Sequence, residues 1–310
     1  MNMKAALLAA LAVFTAAYIA IWLRAIIKRR HSQPAGTGGS GGTMPDVRGS
    51  GIGFFANFLD TLGIGSFATT TAFFKLWGLV RDEEIPGTLN VGHTLPTIAE
   101  AFIYVAVIEV DFMTMVLLIA AACVGSWLGA GIVSRWPRRK VQIGMGAALL
   151  VAAIVMFMKQ LDWLPGGGES LGLSGTKLAI GIVGNFMLGA LMTLGIGLYA
   201  PCMILIAMLG MNARAAYPIM MGSCAFLMPV GSTRFVKTAK YNLKSALGLT
   251  LGGIPGVLIA AYVVKELPLT YVRWLVVVVV LYTAAMMLRS AWVERGKKQA
   301  GALPAEAPGD

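Results

Sequence analysis

Apolar residues in this chain gather into long runs separated by short polar loops, and the runs recur from end to end: 5–27, 52–78, 86–108, 112–134, 141–160, 178–210, 214–234, 243–264 and 270–290. At about 20 residues per crossing, most are long enough to span a bilayer as helices. Two of the runs are interrupted by the same pentapeptide, TLGIG, at 61–65 and again at 193–197. An apolar arm of about 11 residues rises ~16 Å, roughly half the hydrocarbon thickness. Glycine supplies the unrestricted backbone that a reversal needs. Each interrupted run is therefore expected to enter the membrane and return to the side it came from. The run 86–108 is patterned differently: Asn90, His93, Thr97, Glu100 and Tyr104 recur every three or four residues and share one helix face.

Loop charge constrains the topology. Lys28-Arg29-Arg30, Arg135 with Arg138-Arg139-Lys140, the segment 234–244 and the segment 289–298 are basic, and such loops prefer the cytoplasm. Three runs separate the first cluster from the second, and three more separate the second from the third, so full crossings throughout would strand a cluster outside. Drawing 52–78 and 178–210 as hairpins returns all four to one side and leaves Lys4, Lys159, Lys177, Arg214, Lys265 and Arg273 external. The expected fold is an all-α membrane protein of two inverted-topology repeats. Each repeat is a Gly-broken re-entrant hairpin plus three transmembrane helices, and one extra N-terminal transmembrane helix precedes them. Inverted repeats of this kind are the design of many secondary transporters. The boundaries read as an N-terminal helix at 1–28, a Gly/Ser-rich cytoplasmic linker at 29–50, repeat 1 at 51–160, an external linker at 161–177, repeat 2 at 178–292 and a disordered cytoplasmic tail at 293–310. The N-terminus is then periplasmic and the C-terminus cytoplasmic. GSWLGAGIV at 125–133 echoes GGIPGVLIA at 252–260, and the spacings Gly125/Gly129 and Gly252/Gly256 predict close helix packing.

Composition agrees with a polytopic membrane protein, at 57% apolar and 13% charged residues. The net charge of +11 is spread over short loops and not gathered on one face, so it reads as orientation signals and no nucleic-acid partner is expected. Run 5–27 has Lys4 before it, KRR directly after it and no small-residue cleavage site, so it is read as a retained helix and not a signal peptide. Cys123, Cys202 and Cys224 lie inside apolar runs without metal or redox spacing and read as small buried hydrophobes. HExxH and a paired-aspartate arrangement are missing from the sequence, and the Gly-x-Ser-x-Gly spacings at 38–42 and 168–172 fall in Gly-rich linkers without the strand-to-helix setting of a nucleophile elbow. No enzyme activity, metal or cofactor is expected.

Candidate chemistry centres on the two breaks. Half-helices beginning after Gly65 and Gly197 would aim positive dipole ends at one midplane site suited to an anion, each contributing about 0.3–2 kcal/mol. The backbones of Gly63, Gly65, Gly195 and Gly197 and the side chains of Asn57, Thr61, Ser66, Thr193 and Tyr199 would line it; the alternative is that both breaks are kinks at packing contacts. Glu100 stands at membrane depth, where an acidic side chain costs about 2.5–3.5 kcal/mol on an insertion scale. It is the candidate proton-coupling carboxyl, unless it lies near enough to the external end to be solvated. Asn90, His93 and Thr97 would line the substrate path, with a satisfied packing role the alternative for His93. Asp60 reads either as a second proton acceptor or as a helix cap. Lys75 and Arg81 are expected at the cytoplasmic surface, and Arg214 reads as a solvated loop charge or an exit-steering group.

The halves that open with NFLDTLGIGSFAT and LMTLGIGLYAP, followed by EIPGTLNVGHTLP and ARAAYPIMMGSCA and then a Gly-rich helix, resemble the TauE/SafE sulfite-exporter family over residues 50–292. Many members carry more glycine in the first segment than LGIGS. The resemblance implies a bacterial inner-membrane carrier of sulfite or a small organosulfonate, usually outward. It leaves open sulfite, sulfoacetate, sulfolactate, taurine or another small acid. The partners expected are thus a small anionic substrate and the lipid bilayer, with the oligomeric state open. An anion channel without proton coupling is the alternative reading.

Overall fold

A computed structural model describes residues 3–32, 44–62, 64–163, 167–195, 197–212, 215–262 and 270–300. Among these residues the fold is all-helical: α1 Met3–Ser32, α2 Val47–Thr61, α3 Ser66–Trp77, a 3-10 turn Asp82–Glu84, α4 Ile85–Val107, α5 Phe112–Val133, α6 Arg138–Gln160, α7 Gly175–Met192, α8 Tyr199–Met208, α9 Ala216–Lys237, α10 Leu243–Tyr262 and α11 Thr270–Ala300. Six of the described helices are long and apolar enough to cross a membrane. The three flanking the TLGIG breaks on their short sides, α2, α3 and α8, have 15, 12 and 10 residues. At 1.5 Å per residue each rises ~15–23 Å and falls short of the hydrocarbon thickness. The core of the Gly/Ser linker (33–43), the last ten residues, Gly63, Arg214 and Lys265 lie outside the described residues. The expected tail begins as helix, since α11 continues to Ala300.

The chain reverses at both breaks. α3 folds back along α2, so that Phe55 and Phe73 meet ring to ring at 6.1 Å and Asp60 bonds Ser66. α8 folds back along α7, with Gly184 against Leu205 and Gly181 against Leu209. A positive φ marks each turn: +99° at Gly65 and +95° at Gly195, values that glycine alone adopts without strain. These are the second glycine of the first pentapeptide and the first glycine of the second, and Gly197 does not share the positive φ of Gly65, so one sequence makes two differently shaped turns.

Helix directions follow from which residues touch. Gly49 and Gly53 of α2 rest on Ser245 and Leu249 of α10, and Gly252 and Gly256 of α10 rest on Ser50 and Phe54. Residue numbers rise together, so α2 and α10 run the same way. α4 joins them, because Thr250 donates to the Gly92 carbonyl at 2.7 Å and Gly253 abuts Pro96. On the other side, Gly125 and Gly129 of α5 rest on Phe186 and Ala190 of α7, while Ser126 donates to the Leu227 carbonyl of α9 at 3.2 Å. α5, α7 and α9 therefore share a direction. It opposes the first group, because α4 and α9 cross antiparallel with Thr94 and Ser232 hydroxyls 3.1 Å apart and Val105 against Gly222. α6 and α11 form a further antiparallel pair through Arg139 on the Ala291 carbonyl and Phe157 against Trp274. α1 lies along α4 in the opposite sense, tied by Lys4 to the Ile108 carbonyl at 2.9 Å and by Tyr18 to the Val91 carbonyl at 3.2 Å.

The basic loops collect at one end of the bundle. Arg29 stacks on Tyr241, Asp46 N–H donates to the Lys244 carbonyl, and Gly87 packs on Lys240. At this end Asp82 is 4% exposed and takes bonds from Lys75 and Gln142, both 2.7 Å, with Arg138 at 3.4 Å. Arg81 pairs with Glu83, so Lys75 and Arg81, the two cations expected at the cytoplasmic surface, are each held by an acid. Burial alone would raise the Asp82 carboxyl, but the bonds from Lys75 and Gln142 and the charges of Lys75 and Arg138 outweigh it and hold it below the usual range. A depressed pKa means that the stabilisation is present above the unfolded-state value near ~4 and disappears as pH falls through the folded-state value.

Two predictions follow from packing and charge. Gly252→Val drives a side chain into the Ser50 carbonyl and should cost about 1–3 kcal/mol. It should therefore lower the melting temperature of detergent-purified protein. Gly131→Ala, with open space at its Cβ, should not. Asp82→Asn should lower the melting temperature at pH 7, by the equivalent of about 1–3 kcal/mol for an orphaned partner. The same change should flatten the wild-type loss of stability below about pH 4, which a melting series across pH measures directly.

Candidate functional site

Both reversals end at one carboxyl. Thr61 is the last residue of α2 and Tyr199 the first of α8, and Glu100 of α4 stands between them. Thr61 Oγ1 lies 2.9 Å from Glu100 Oε1, and the Tyr199 hydroxyl donates to Oε2 at 2.6 Å. Glu100 is 0% exposed, so it is not solvated at the external end of its helix. The Thr61 hydroxyl is also 2.8 Å from the Asn57 carbonyl, an obligatory acceptor. One hydroxyl hydrogen thus faces two acceptors. Tyr104, one turn beyond Glu100, donates to the Thr61 carbonyl at 3.0 Å and stacks on Tyr217 of α9.

Asp60 sits beside this group. Its Oδ1 accepts the Ser66 N–H at 2.9 Å and its Oδ2 accepts the Ser66 hydroxyl at 2.8 Å, the geometry of a cap on α3. The positive end of α3 is therefore occupied by the chain's own carboxylate position, which leaves Ser66 committed. The second turn has no such device, because Met192 and Leu198 stand where Asp60 and Ser66 stand in the first. Asp60, Thr61, Ser66 and Tyr199 are each 5% exposed or less, so the group is closed to both ends of the bundle.

The polar stripe of α4 splits between two neighbours. His93 faces α2 and α3: its Nδ1 is 3.0 Å from Asn57 Oδ1 and its Nε2 3.0 Å from Thr70 Oγ1. Asn57 Nδ2 donates to the Gly53 carbonyl, which fixes Oδ1 toward the ring and makes Nδ1 the donor. Both ring nitrogens are engaged, so His93 braces the hairpin and presents no free ligand atom. Thr97 is buried one turn from both His93 and Glu100. Asn90 turns the other way, toward Gly231 of α9, donating to the Pro86 carbonyl while its Oδ1 has no partner. The helix period explains the split: residues three apart drift around the axis, and Asn90 lies ten positions from Glu100.

Thr193 and Thr61 are equivalent in sequence and different in contact. Thr193 donates to the Ala190 carbonyl at 2.7 Å and packs on Gly129 of α5, without an acid partner. Gly65 and Gly195 supply the positive φ of the turns, Gly197 precedes α8, and Gly63 lies outside the described residues. Thr70 was not among the candidates, although a Thr69-Thr70-Thr71 run inside an apolar half-helix, all three buried, is the signal that marks it. Cys224 and Met192 have sulfurs 3.7 Å apart, and Cys224 lies within electrostatic reach of Asp60 and Glu100.

The ion pairs around Asp82 and Glu83 lie away from this group, and among the described residues neither Asp60 nor Glu100 has a basic partner in one. No group of three or more His, Cys, Asp or Glu side chains there could hold a metal. The arrangement offers two buried carboxyls, hydroxyl donors and backbone at two turns. Such a set can hold a proton and hydrogen-bond a small guest.

No curated protein and no solved structure matches the chain. A family model does: sulfite exporter TauE/SafE, over residues 2–156 and 177–308. The match reaches through the first helix and linker, which the sequence resemblance had left outside, and it covers most of the chain. The protein is thus a multi-pass membrane protein of transporter type, and it belongs to the TauE/SafE sulfite exporter family.

Proposed function

We propose that the protein is a secondary carrier of a small sulfur-containing anion, sulfite or a short organosulfonate. It exports its cargo across a bacterial inner membrane by alternating access, with Glu100 as the proton-coupling carboxyl. The observation that carries this reading is the convergence of the two turns on Glu100, whose two oxygens are shared between the end of α2 and the start of α8. Helix directions support the architecture. α2 and α4 run one way and their counterparts α7 and α9 run the other, while α5 and α10 exchange in the same manner. That relation is expected of two inverted repeats, each opened by a hairpin that dips into the bilayer. The gathering of basic loops at one end supports a cytoplasmic assignment for that end.

Proton coupling is supported by a hydrogen count. With a proton on Glu100 Oε1, the carboxyl O–H donates to Thr61 Oγ1, Thr61 donates to the Asn57 carbonyl, and Oε2 accepts from Tyr199. Every acceptor then faces a donor. A carrier needs a closed intermediate in which its site reaches neither side, and the burial of this group fits one. The substrate would take the place beside the turns when Asp60 or Glu100 gives way.

The test uses purified protein in proteoliposomes with sulfite. Wild type should show sulfite flux that rises with an imposed proton gradient. Glu100→Gln should lose at least about tenfold of that driven flux, ~1.4 kcal/mol in barrier terms. It should keep a sulfite-dependent rise in melting temperature, because a ligand of the folded state alone stabilises it. Gradient-driven flux that survives in Glu100→Gln removes the carboxyl from coupling, and single-channel currents would replace the carrier with a channel.

A further inference from the structure

The Thr61 hydroxyl is the one donor in the candidate site that faces both a fixed acceptor and an ionisable one. Its oxygen sits 2.8 Å from the Asn57 carbonyl and 2.9 Å from Glu100 Oε1, and the residue is 2% exposed, so water does not relieve the choice. We propose that Thr61 is a positioning residue that reads the proton on Glu100 and passes it to the first glycine turn. This deepens the proton-coupled reading above and rests on it.

The step balances with one proton. While Glu100 carries its proton, Oε1–H donates to Thr61 Oγ1 and the Thr61 hydrogen closes on the Asn57 carbonyl, four residues back. A threonine bonded back to the carbonyl four residues earlier bends the helix there, in this case the last turn of α2. When the proton leaves for water on the open side, Oε1 becomes an acceptor. The Thr61 hydroxyl then rotates to it and abandons the Asn57 carbonyl, which retains the backbone bond of an i→i−4 helix. A charge-assisted O–H···O⁻ bond is shorter and roughly twice as strong as a neutral one, so Thr61 is drawn toward α4. Thr61 is the residue at which α2 ends and the TLGIG reversal begins, and its own carbonyl is held by Tyr104. A change in its hydroxyl partner therefore acts on the turn itself.

Ionisable groups face Glu100 from each neighbouring helix: Asp60 from α2, Tyr199 from α8, Cys224 from α9, and Tyr104 from α4 itself. Asp60 is committed to Ser66 and Tyr199 to Oε2, so Thr61 is the one with a free choice between partners. The second half lacks the device, since Thr193 donates to Ala190 and rests on a glycine of α5. One proton reader per carrier follows.

The test pairs Thr61→Val, which keeps shape and removes the hydroxyl, with Thr61→Ser, which keeps the hydroxyl. Full-length protein is reconstituted, and two quantities are followed across pH: sulfite flux, and the carboxyl carbonyl band in infrared difference spectra, assigned by its loss in Glu100→Gln. Thr61→Val should shift the band and move the titration midpoint by at least about one pH unit, a tenfold change in the proton equilibrium. Thr61→Ser should restore both. A wild-type midpoint and band in Thr61→Val overturns the proposal, as does a Thr61→Ser variant that behaves like Thr61→Val, or a band that persists in Glu100→Gln. Should the valine variant not fold, Thr61→Ala faces the same outcomes. The infrared readout does not depend on the cargo, so absent sulfite flux with the expected band shift sinks the substrate reading and leaves the Thr61 switch standing.

Discussion

A carboxyl buried deep in a helical bundle must be paid for in partners, and the arrangement around Glu100 follows from that constraint. Isolated in hydrocarbon, an acidic side chain costs about 2.5–3.5 kcal/mol even by a lenient measure. Glu100 meets two hydroxyls in place of a cation, one from each reversal of the chain. Neither hydroxyl can reach it unless a helix stops at that depth, and neither helix can stop there unless the chain turns on glycine. The positive φ at Gly65 and Gly195 thus belongs to the same problem as the buried acid.

The frame that holds these two stops is made by close approach. α2 lies on α10, and α7 lies on α5, through glycines where a methyl group would collide with the neighbouring backbone. Each short-armed reversal is seated on a long helix of the other half, so the halves cannot separate without unmaking both seats. Membrane helices gain nothing from burying apolar surface against each other, and small residues that admit tight backbone contact supply the attraction instead. The polar bonds then serve register: Asn57 ties α2 to His93 of α4 while packing on Gly253 of α10.

Much of this frame was legible in the chain. Run lengths gave the helices, TLGIG gave the positions of the reversals, and the Gly125/Gly129 and Gly252/Gly256 spacings gave the two seats. Glu100, Thr61 and Tyr199 were each visible as polar residues where none should be idle. What spacing could not show was contact. Asn90 and Glu100 look like one stripe on a helical wheel, yet they face α9 and α2 respectively, because which neighbour covers each arc depends on segments remote in the chain. Thr193 looked like a twin of Thr61 for the same reason; a shared pentapeptide fixes local conformation and says nothing of whether an acid stands opposite. His93 stayed open between a path-lining and a packing role because its partner Thr70 belongs to a helix on the far side of the turn.

The contrast between a two-fold frame and one-sided chemistry has a physical consequence for the carrier proposed here. If the halves are inverted copies, exchanging their conformations interconverts states open to either side, and the two states are close in energy because the same contacts are made twice. Symmetry supplies the exchange and cannot by itself supply direction. Direction comes from the gradients, and coupling to them needs a term that tells the two states apart; the differences at the turns are of that kind: Asp60 and Ser66 against Met192 and Leu198, and Thr61 with Glu100 against Thr193 with a glycine. A ligand shifts such an equilibrium only by its differential affinity for the two states. A proton on Glu100 qualifies, because it changes the partner of a residue in the first turn and touches the second turn only through Tyr199. Coupling can then reside in one acid and one hydroxyl while the rest of the bundle provides two nearly equal conformations for them to choose between.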